Sequence, residues 1–464
     1  MTKILISVFF SLVFTSSLFA QNISDIDGNW DGYIEINGQQ LIIEATFTYN
    51  EGELDGTLNI PQQQASNLPI EVIGTASDSL IFQFQTGTGP AVFRGFRTNG
   101  NTLVEGRYQQ AGMEYPFRIE KIGSMSNTSE MPQQNIEIPT EQGSIEGSLV
   151  LQESPSPLII LLSGSGSQDR NETIAGFQIF KSIALTLYEK SYSSFRFDDR
   201  GVGKSTGPAD ATLQELAADL ESIIQYLKQN YEGRFTDLIL LGHSQGGLVA
   251  SIAASNNETQ VNGIIYMASP FLSGDEIINH QIKKISELQG IPDDVVEQNL
   301  QFQNKIYEVV RSGGNWQEIE QSLRERLQAQ IDLLPDPQQE ALGNMDAFIQ
   351  SQIDRQLSSA KSRWFKSFIE LEPDPLISGL NIPLLVLFGE NDVQVLAEPN
   401  REAAEKLRES YSSSFSLSVI PASNHLFQET DSGLPSEYGM LEKEFANGFT
   451  EQILDYLNSF REQL

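Results

Sequence analysis

The chain has 464 residues, no cysteine, and 62 acidic against 29 basic side chains, which gives a formal net charge of −33. This length allows two or three domains with a large buried core. The lack of cysteine excludes disulfides, thiolate catalysis and zinc–thiolate sites. The negative charge argues against partners that are bound through phosphates, namely nucleic acid and anionic membrane surfaces.

Residues 1–20 contain Lys3, an apolar run from Ile4 to Phe14, and Ala20. This pattern predicts a cleaved secretory signal peptide, because the apolar run is too short to span a bilayer comfortably. No later segment is long enough either, so stable membrane insertion is not expected. We therefore expect a mature protein that is secreted or periplasmic.

Residues 21–122 are predicted to form an N-terminal β domain. Short β-rich runs alternate with turns that contain glycine, asparagine or proline, and this alternation predicts a small antiparallel barrel or sandwich. The runs are Leu41–Tyr49, Leu54–Ile60, Ile70–Gly74, Ser79–Gln85, Ala91–Phe96, Thr102–Tyr108 and Tyr115–Glu120. Trp30 is interpreted as a packing residue in preference to a ligand contact. The polar residues 123–133 are a predicted linker.

Residues 134–464 are the predicted catalytic domain. The apolar run Leu158–Leu162 is typical of a strand that is covered on both faces. A predicted helix at Ile174–Glu189 precedes a predicted strand at Ser194–Phe197, and further pairs of this kind follow. Such alternation indicates a mostly parallel sheet with helices on both faces.

A helical lid is predicted at about residues 272–371, where the alternation stops and amphipathic segments rich in Gln, Glu, Leu and Ile follow. An insertion at the ligand-binding end of a parallel sheet is most simply a lid. Trp364, Phe365 and Phe368 are candidates for lining the substrate pocket, or for forming the core of the lid. The sheet then resumes, and a closing helix is predicted from about Glu442 to Phe460.

The residues Gly242–Gly247 read Gly-His-Ser-Gln-Gly-Gly and connect an apolar run to a helix of small residues. This strand–turn–helix context is the one that a catalytic Gly-x-Ser-x-Gly needs, so Ser244 is the predicted nucleophile. The amide of Gln245 lies at the helix N-terminus and is a predicted oxyanion donor. The second predicted donor is the amide of Ser165, or that of Gly166, in the glycine-rich loop after Leu162.

A second Gly-x-Ser-x-Gly match occurs at Gly203–Gly207, but it follows Asp198-Asp199-Arg200-Gly201 and not a strand. Ser205 is therefore interpreted as a loop serine. The same segment partly resembles a phosphate-binding loop, but the first required glycine would fall at Asp198. Nucleotide binding is not predicted.

The chain has three histidines, so the general base can be chosen by elimination. His243 adjoins the nucleophile inside the turn, where its side chain would point away from Ser244. His280 lies in a polar stretch of the predicted lid. His425 follows the last predicted strand, at the sheet edge where Ser244 should emerge, and is the predicted base.

The imidazole needs a carboxylate that fixes its tautomer and stabilises the imidazolium. Asp392 follows the strand Pro383–Phe388 and gives the chain order Ser, Asp, His. Asp275 is a rival for this role, and Glu390 is a weaker one.

The combination of these motifs, in this order, resembles the α/β-hydrolase fold. More narrowly, it is similar to secreted bacterial serine carboxylesterases that carry an N-terminal β domain. The resemblance covers Ser163–Arg170, Phe197–Ser205, Gly242–Gly247, Gly389–Asp392 and Asn424–Phe427. It implies that Asp199-Arg200-Gly201 is a structural loop. Ser163-Gly164 departs from the His-Gly of many members, which leaves the oxyanion amide open.

The resulting expectation is a serine hydrolase that cleaves small-molecule carboxylic esters through a Ser244–His425–Asp392 triad, without cofactor or metal. A peptidase of the same fold is one alternative, since the triad does not choose between ester and amide. The other is an envelope- or polysaccharide-binding protein with a secondary or inactive hydrolase domain. The sequence indicates neither the acyl length nor the oligomeric state.

Overall fold

The computed structural model describes residues 26–121 and 131–461, with gaps at 37–38, 51–52, 61–64, 76–78, 87–88, 99–101, 111, 257, 333–334, 336–338 and 340–341. The predicted signal peptide and most of the predicted linker lie outside these described residues. The chain divides into two compact units, Met1–Ser126 and Asn127–Leu464.

The first unit is a closed barrel of antiparallel strands, one of the two architectures that the sequence predicts. Strand β1 pairs with both β2 and β8, which closes the barrel. The strands are β1 (Gly28–Ile36), β2 (Gln39–Asn50), β3 (Glu53–Ile60), β4 (Ala65–Gly74), β5 (Ser79–Thr86), β6 (Gly89–Thr98), β7 (Leu103–Gln110) and β8 (Met113–Lys121).

The interior of the barrel is filled by aromatic side chains. Phe47, Phe82, Phe93 and Phe117 contact one another, with ring centroids 4.4 to 6.3 Å apart. Trp30 is fully buried beside them and donates its indole N–H to the carbonyl of Ile26 at 2.8 Å. Inward-facing side chains on alternate positions of each strand therefore form a continuous core.

The second unit is built on an eight-stranded sheet in the order β18-β17-β16-β15-β11-β14-β10-β9. The pairs from β18 to β14 are parallel, and β10 and β9 are antiparallel. The strands of this unit are β9 (Gln134–Thr140), β10 (Gly143–Val150), β11 (Ser156–Leu162), β12 (Thr173–Ile174), β13 (Phe177–Gln178), β14 (Ser193–Phe197), β15 (Phe235–His243), β16 (Gly263–Met267), β17 (Leu384–Gly389) and β18 (Phe415–Ile420).

Helices cover both faces of this sheet. Helices α1 and α11 pack on one face, and α2 and α3 pack on the other. Every residue of β11, β16 and β17 is buried, which explains their uninterrupted apolar sequences. The helices are α1 (Ile179–Glu189), α2 (Leu213–Asn230), α3 (Gln245–Ser255), α4 (Gly274–Leu288), α5 (Asp293–Ser312), α6 (Trp316–Asp332), α7 (Met345–Ala360), α8 (Arg363–Glu370), α9 (Pro373–Ser378), α10 (Ala397–Arg408) and α11 (Phe449–Arg461).

Helices α4 to α9 form the insertion between β16 and β17, in the place where the sequence predicts a lid. Two predicted helices begin later than expected. The helix predicted from Ile174 begins at Ile179, because residues 173–178 form the hairpin β12–β13. The closing helix begins at Phe449, directly after Gly448, which has a positive φ of 92° that no right-handed helix uses. Among the described residues, no helix has the length and apolar character that crossing a bilayer requires.

Candidate active site

Ser244 lies on a sharp turn between β15, which ends at His243, and α3, which begins at Gln245. Its backbone is strained, with φ 51° and ψ −122°. The turn is held by hydrogen bonds from Ser244 N to Met267 O (2.8 Å) and from Ser269 Oγ to Ser244 O (2.7 Å). The turn thus places a partly accessible serine at the carboxyl edge of the sheet.

Two glycines allow this turn to pack closely. A Cβ on Gly242 would lie 2.3 Å from the backbone of Gly246, and a Cβ on Gly246 would lie 2.3 Å from the carbonyl oxygen of Leu162. A side chain at Gly246 would push the turn away from the end of β11, and one at Gly242 would push the strand away from the start of α3. The glycines of the motif are therefore required by the approach of one backbone to another.

His425 and Asp392 form a buried pair at the same edge of the sheet. His425 Nδ1 lies 2.7 Å from Asp392 Oδ2, and the two residues are 5% and 3% exposed. The other carboxylate oxygen, Asp392 Oδ1, accepts hydrogen bonds from the amides of Gln394 (2.7 Å) and Val395 (2.9 Å). These amides fix the carboxylate, and the carboxylate in turn fixes the imidazole.

The rival carboxylates have other partners. Asp275 forms an ion pair with Arg311 at 2.8 Å, between α4 and α5. Glu390 accepts a hydrogen bond from the amide of Ala422 at 2.7 Å. His280 lies within α4, where it is partly buried. Asp392 is the carboxylate that the structure brings to His425.

The segments that carry Ser244 and His425 are in direct contact. His243 Nε2 lies 3.1 Å from the carbonyl oxygen of His425, and the two imidazole rings are 4.7 Å apart between centroids. The loop after β11 also reaches this point, because a Cβ on Gly164 would lie 3.4 Å from Ser244 Cβ. The predicted nucleophile, the predicted base and the candidate oxyanion loop thus converge at one place.

The loop after β11 offers different amides for different purposes. The amide of Gly164 donates to Glu172 Oε1 at 2.7 Å and is therefore engaged inside the protein. The amide of Ser165 donates to no acceptor among the described residues, and Ser165 itself is exposed. The contacts therefore count against Gly164 and leave Ser165 or Gly166, whose amides make no hydrogen bond within the described residues, as the loop's candidate oxyanion donor.

The three aromatic candidates of the lid occupy different environments. Phe365 and Phe368 are buried in the core, where Phe365 stacks on Tyr307 with centroids 6.4 Å apart. Trp364 is partly buried, stacks on Phe368, and donates its indole N–H to Gln245 Oε1. Of the three, Trp364 is the one that contacts the residue next to Ser244.

Sequence reasoning missed two residues of the site. Glu172 is fully buried and lies 2.7 Å from His243 Nδ1. Asn424 is also fully buried, and its Oδ1 accepts hydrogen bonds from the amides of Leu426 and Gln428, both at 2.9 Å. Asn424 thereby holds the loop that presents His425. A polar residue directly before the predicted base was the available signal for Asn424; Glu172 had none.

Asp199 holds the candidate oxyanion loop from behind. It accepts hydrogen bonds from Ser163 Oγ at 2.9 Å and from the amide of Gln168 at 2.9 Å. Part of the residue is accessible, but its carboxylate is enclosed by protein. This burial, with the nearby charges of Glu172 and Asp198, raises the pKa of Asp199 to about 7.

Asp199 should therefore make the protein less stable as pH rises. Because its pKa is higher in the folded than in the unfolded chain, the native state binds more protons between about pH 4 and pH 7, and stability falls across that range. With about 1.4 kcal/mol per pKa unit, the cost is roughly 2 to 4 kcal/mol above pH 7. Asp199→Asn should remove this dependence.

Urea unfolding of wild type and Asp199→Asn at several pH values measures this effect. Asparagine accepts one hydrogen bond fewer from the loop, which shifts the free energy of unfolding by a similar amount at every pH. The slope against pH is therefore the informative quantity. Parallel curves for the two proteins would show that Asp199 does not titrate in this range.

The family described as Serine aminopeptidase, S33, matches residues 174–336. Esterase EstD of Thermotoga maritima is 25% identical over 242 residues, which are 52% of this chain and 48% of that protein. The chain thus spans about half of the length of this curated relative. Together with the sheet order and the serine-bearing turn, these matches identify the chain as a member of the α/β-hydrolase superfamily.

Solved esterase structures show distant similarity to this chain. Esterase Pf2001 of Pyrococcus furiosus has 16% identity and a TM-score of 0.42, and the match covers 72% of this chain and 94% of that one. Est1E of Butyrivibrio proteoclasticus, with bound ferulic acid, has 16% identity, coverages of 71% and 98%, and a TM-score of 0.39. An esterase of Thermogutta terrifontis has 21% identity, coverages of 70% and 98%, and a TM-score of 0.39.

Proposed function

We propose that this protein is an exported serine hydrolase that cleaves small-molecule carboxylic esters. The main supporting observation is the convergence of Ser244, the His425–Asp392 pair and the loop after β11 at the carboxyl ends of the parallel strands. The match to EstD supports an ester in preference to other acyl substrates. Export is proposed from the pattern of residues 1–20.

The reaction proceeds by acyl transfer to the enzyme. His425 takes the proton of Ser244, whose oxygen attacks the ester carbonyl. The amides of Gln245 and Ser165 stabilise the tetrahedral oxyanion, and each contributes about 3 kcal/mol by comparison with other oxyanion holes. His425 then protonates the leaving alcohol. Water activated by His425 attacks the acyl-enzyme and releases the acid.

An aminopeptidase is the second candidate, because the matching family is described as a serine aminopeptidase. Both reactions use the same nucleophile, base and oxyanion donors. They differ in the leaving group, since an amine must be protonated before it departs, and in the recognition of a free α-amino group.

A substrate panel tests the proposal. The purified protein would be assayed on p-nitrophenyl esters of graded acyl length and on aminoacyl anilides. We expect turnover of esters, with kcat/KM well above that for anilides. Preferential turnover of the anilides would favour the aminopeptidase, and turnover of neither would contradict the proposed function.

Trp364 should influence the rate through Gln245. Trp364→Phe keeps an aromatic ring on Phe368 but removes the indole donor to Gln245 Oε1. Because the Gln245 side chain also donates to Gly164 O at 3.3 Å, its displacement would disturb both predicted oxyanion segments. We expect kcat to fall about 5-fold, as for the net loss of one hydrogen bond.

The matched control is Trp316→Phe, the same substitution in helix α6. Trp316 packs in the lid and lies 5.3 Å below the ammonium group of Lys361. This variant should keep wild-type kcat. Equal losses in both variants would show that Trp364 matters only for the stability of the lid.

A further inference from the structure

A second carboxylate–imidazole pair lies beside the pair formed by Asp392 and His425. Glu172 Oε1 is 2.7 Å from His243 Nδ1, and the two residues are 0% and 1% exposed. Glu172 follows the loop after β11, and its backbone has a positive φ of 47° that a side chain of this size adopts only under constraint. Glu172 thus combines a strained backbone conformation with the burial of an ionisable side chain.

The pair contacts all three segments that build the proposed site. Glu172 Oε1 also accepts the hydrogen bond from the amide of Gly164, in the candidate oxyanion loop. His243 directly precedes Ser244 in the turn. Its second nitrogen, Nε2, lies 3.1 Å from the carbonyl oxygen of His425. One buried pair therefore links the oxyanion loop, the nucleophile and the base.

The geometry around His243 also bears on its charge. Nδ1 faces a carboxylate oxygen and Nε2 faces a backbone carbonyl, and both of these groups accept hydrogen bonds. Neutral imidazole has a single N–H, whereas imidazolium has two and satisfies both acceptors. A glutamate paired with an imidazolium therefore satisfies both contacts, and Glu172 then balances the charge of His243.

Charged groups around His243 are consistent with this assignment. Burial alone lowers the pKa of His243, but the carboxylate of Glu172, the carbonyl of His425 and the charge of Asp392 outweigh it and raise the pKa above its ordinary value. The ionisable side chains around His243 are thus Glu172 at Nδ1, His425 at the facing ring, and Asp392 behind His425. Asp199 lies close enough to Glu172 to interact with it electrostatically.

We propose that Glu172 and His243 form an ion pair that positions the oxyanion loop, Ser244 and His425 relative to one another, in support of the proposed acyl transfer. The pair touches no reacting atom. It engages the amide of Gly164, leaves the amide of Ser165 for the oxyanion, and ties the His425 backbone to the residue before the nucleophile. Glu172 and His243 are thus positioning residues, and the inference rests on the proposed function.

Glu172→Gln separates charge from shape. Glu172 Oε1 accepts both hydrogen bonds, while Oε2 has no hydrogen-bond partner among the described residues. A glutamine can therefore keep its oxygen at the first position and place its NH₂ group at the second. The glutamine variant lacks the negative charge. His243 should then become neutral and, with a single N–H, donate to only one of its two acceptors, residue 172 or the carbonyl of His425.

Steady-state kinetics on a short p-nitrophenyl ester measures the consequence. We expect Glu172→Gln to lower kcat about 10-fold and Glu172→Ala about 100-fold, in line with the loss of a charge-assisted hydrogen bond. KM should change by less than about 2-fold, because the pair does not contact substrate. The variant Asp169→Asn is the matched control.

Asp169 is a partly buried residue of the same loop. Its carboxylate accepts hydrogen bonds from Asn171 and Thr173, and no hydrogen bond joins it to Gly164 or His243. The Asp169→Asn variant therefore shows how far a general loosening of the loop lowers kcat. Wild-type kcat in Glu172→Gln, or an equal loss of kcat in Asp169→Asn, would overturn the proposal.

Imidazole ¹H–¹⁵N spectra provide a second readout, which is simple because the chain has three histidines. His243 should carry two N–H protons at pH 7.5 in wild type and one in Glu172→Gln. A singly protonated His243 in wild type would contradict the ion pair. This measurement needs no substrate, so a protein that turns over no ester would refute the proposed function while the spectra still decide the state of the pair.

Discussion

Ser244→Ala should abolish ester turnover while leaving the fold intact. The substitution removes the only group that the proposed mechanism can acylate, and kcat should fall by about four orders of magnitude or more. Alanine fits the turn, since the packing of the turn depends on Gly242 and Gly246 and on backbone hydrogen bonds. Loss of labelling by a serine-directed phosphonate, together with an unchanged circular dichroism spectrum, would identify the lost group as the nucleophile.

Ser205→Ala provides the control, because Ser205 lies in the other Gly-x-Ser-x-Gly match. Its hydroxyl is buried, donates to the carbonyl of Asp198 at 2.8 Å, and accepts from the amide of Glu146 at 2.9 Å. Its loss should cost about 1 to 3 kcal/mol of stability and leave the chemistry intact. If Ser244→Ala retained turnover comparable to Ser205→Ala, Ser244 would not be the nucleophile.

Asp392→Asn should produce the second large loss, with kcat reduced about 10³- to 10⁴-fold. The amides of Gln394 and Val395 both need an acceptor at Oδ1, so the asparagine must place its NH₂ group toward His425. That group donates to Nδ1 and forces the imidazole proton onto Nε2. A proton on Nε2 prevents His425 from accepting the proton of Ser244.

Asp275→Asn and Glu390→Gln test the rival carboxylates under the same assay. Their present partners are Arg311 and the amide of Ala422, so neither change should lower kcat by more than about 3-fold. A loss in either variant that equalled the loss in Asp392→Asn would reassign the carboxylate. Because Asp275 lies in the predicted lid, kcat and KM should be measured separately, so that a change in substrate binding is not mistaken for a change in the chemical step.

Local signals explain how much of the site could be predicted. Ser244, Asp392 and His425 each follow a strand of the parallel sheet, and strands of this kind bring the residues after them to one edge. Their approximate meeting place was therefore accessible from strand order alone. Gly242 and Gly246 gave a further signal. Both lie two residues from Ser244, and the close backbone contacts of the turn require a glycine at each position.

Glu172 could not be predicted in the same way. It stands in the polar sequence Asp169-Arg170-Asn171-Glu172-Thr173, which is typical of a solvated loop, and its partner His243 is 71 residues away. The predicted start of the next helix, at Ile174, was also wrong. Ala175 and Gly176 have positive φ values of 48° and 80° in the two-residue turn of the β12–β13 hairpin, and an alanine gives no sequence signal for such a turn.

The barrel was predicted as a class but not in full. Strand β1 was not among the predicted runs, because Gly28 to Gly32 reads as a turn-rich opening. Its pairing with β8 closes the barrel and distinguishes it from a sandwich, and this pairing joins residues at opposite ends of the unit. Contacts so distant in the chain leave no local pattern.

The aromatic packing inside that barrel limits what the N-terminal unit can do. Eight strands enclose a space that either holds one small ligand or is filled by side chains, and here Phe47, Phe82, Phe93 and Phe117 take up the space. A molecule held within this lumen would therefore have to displace these side chains. Recognition that leaves this core in place would use the outward-facing side chains of the barrel wall.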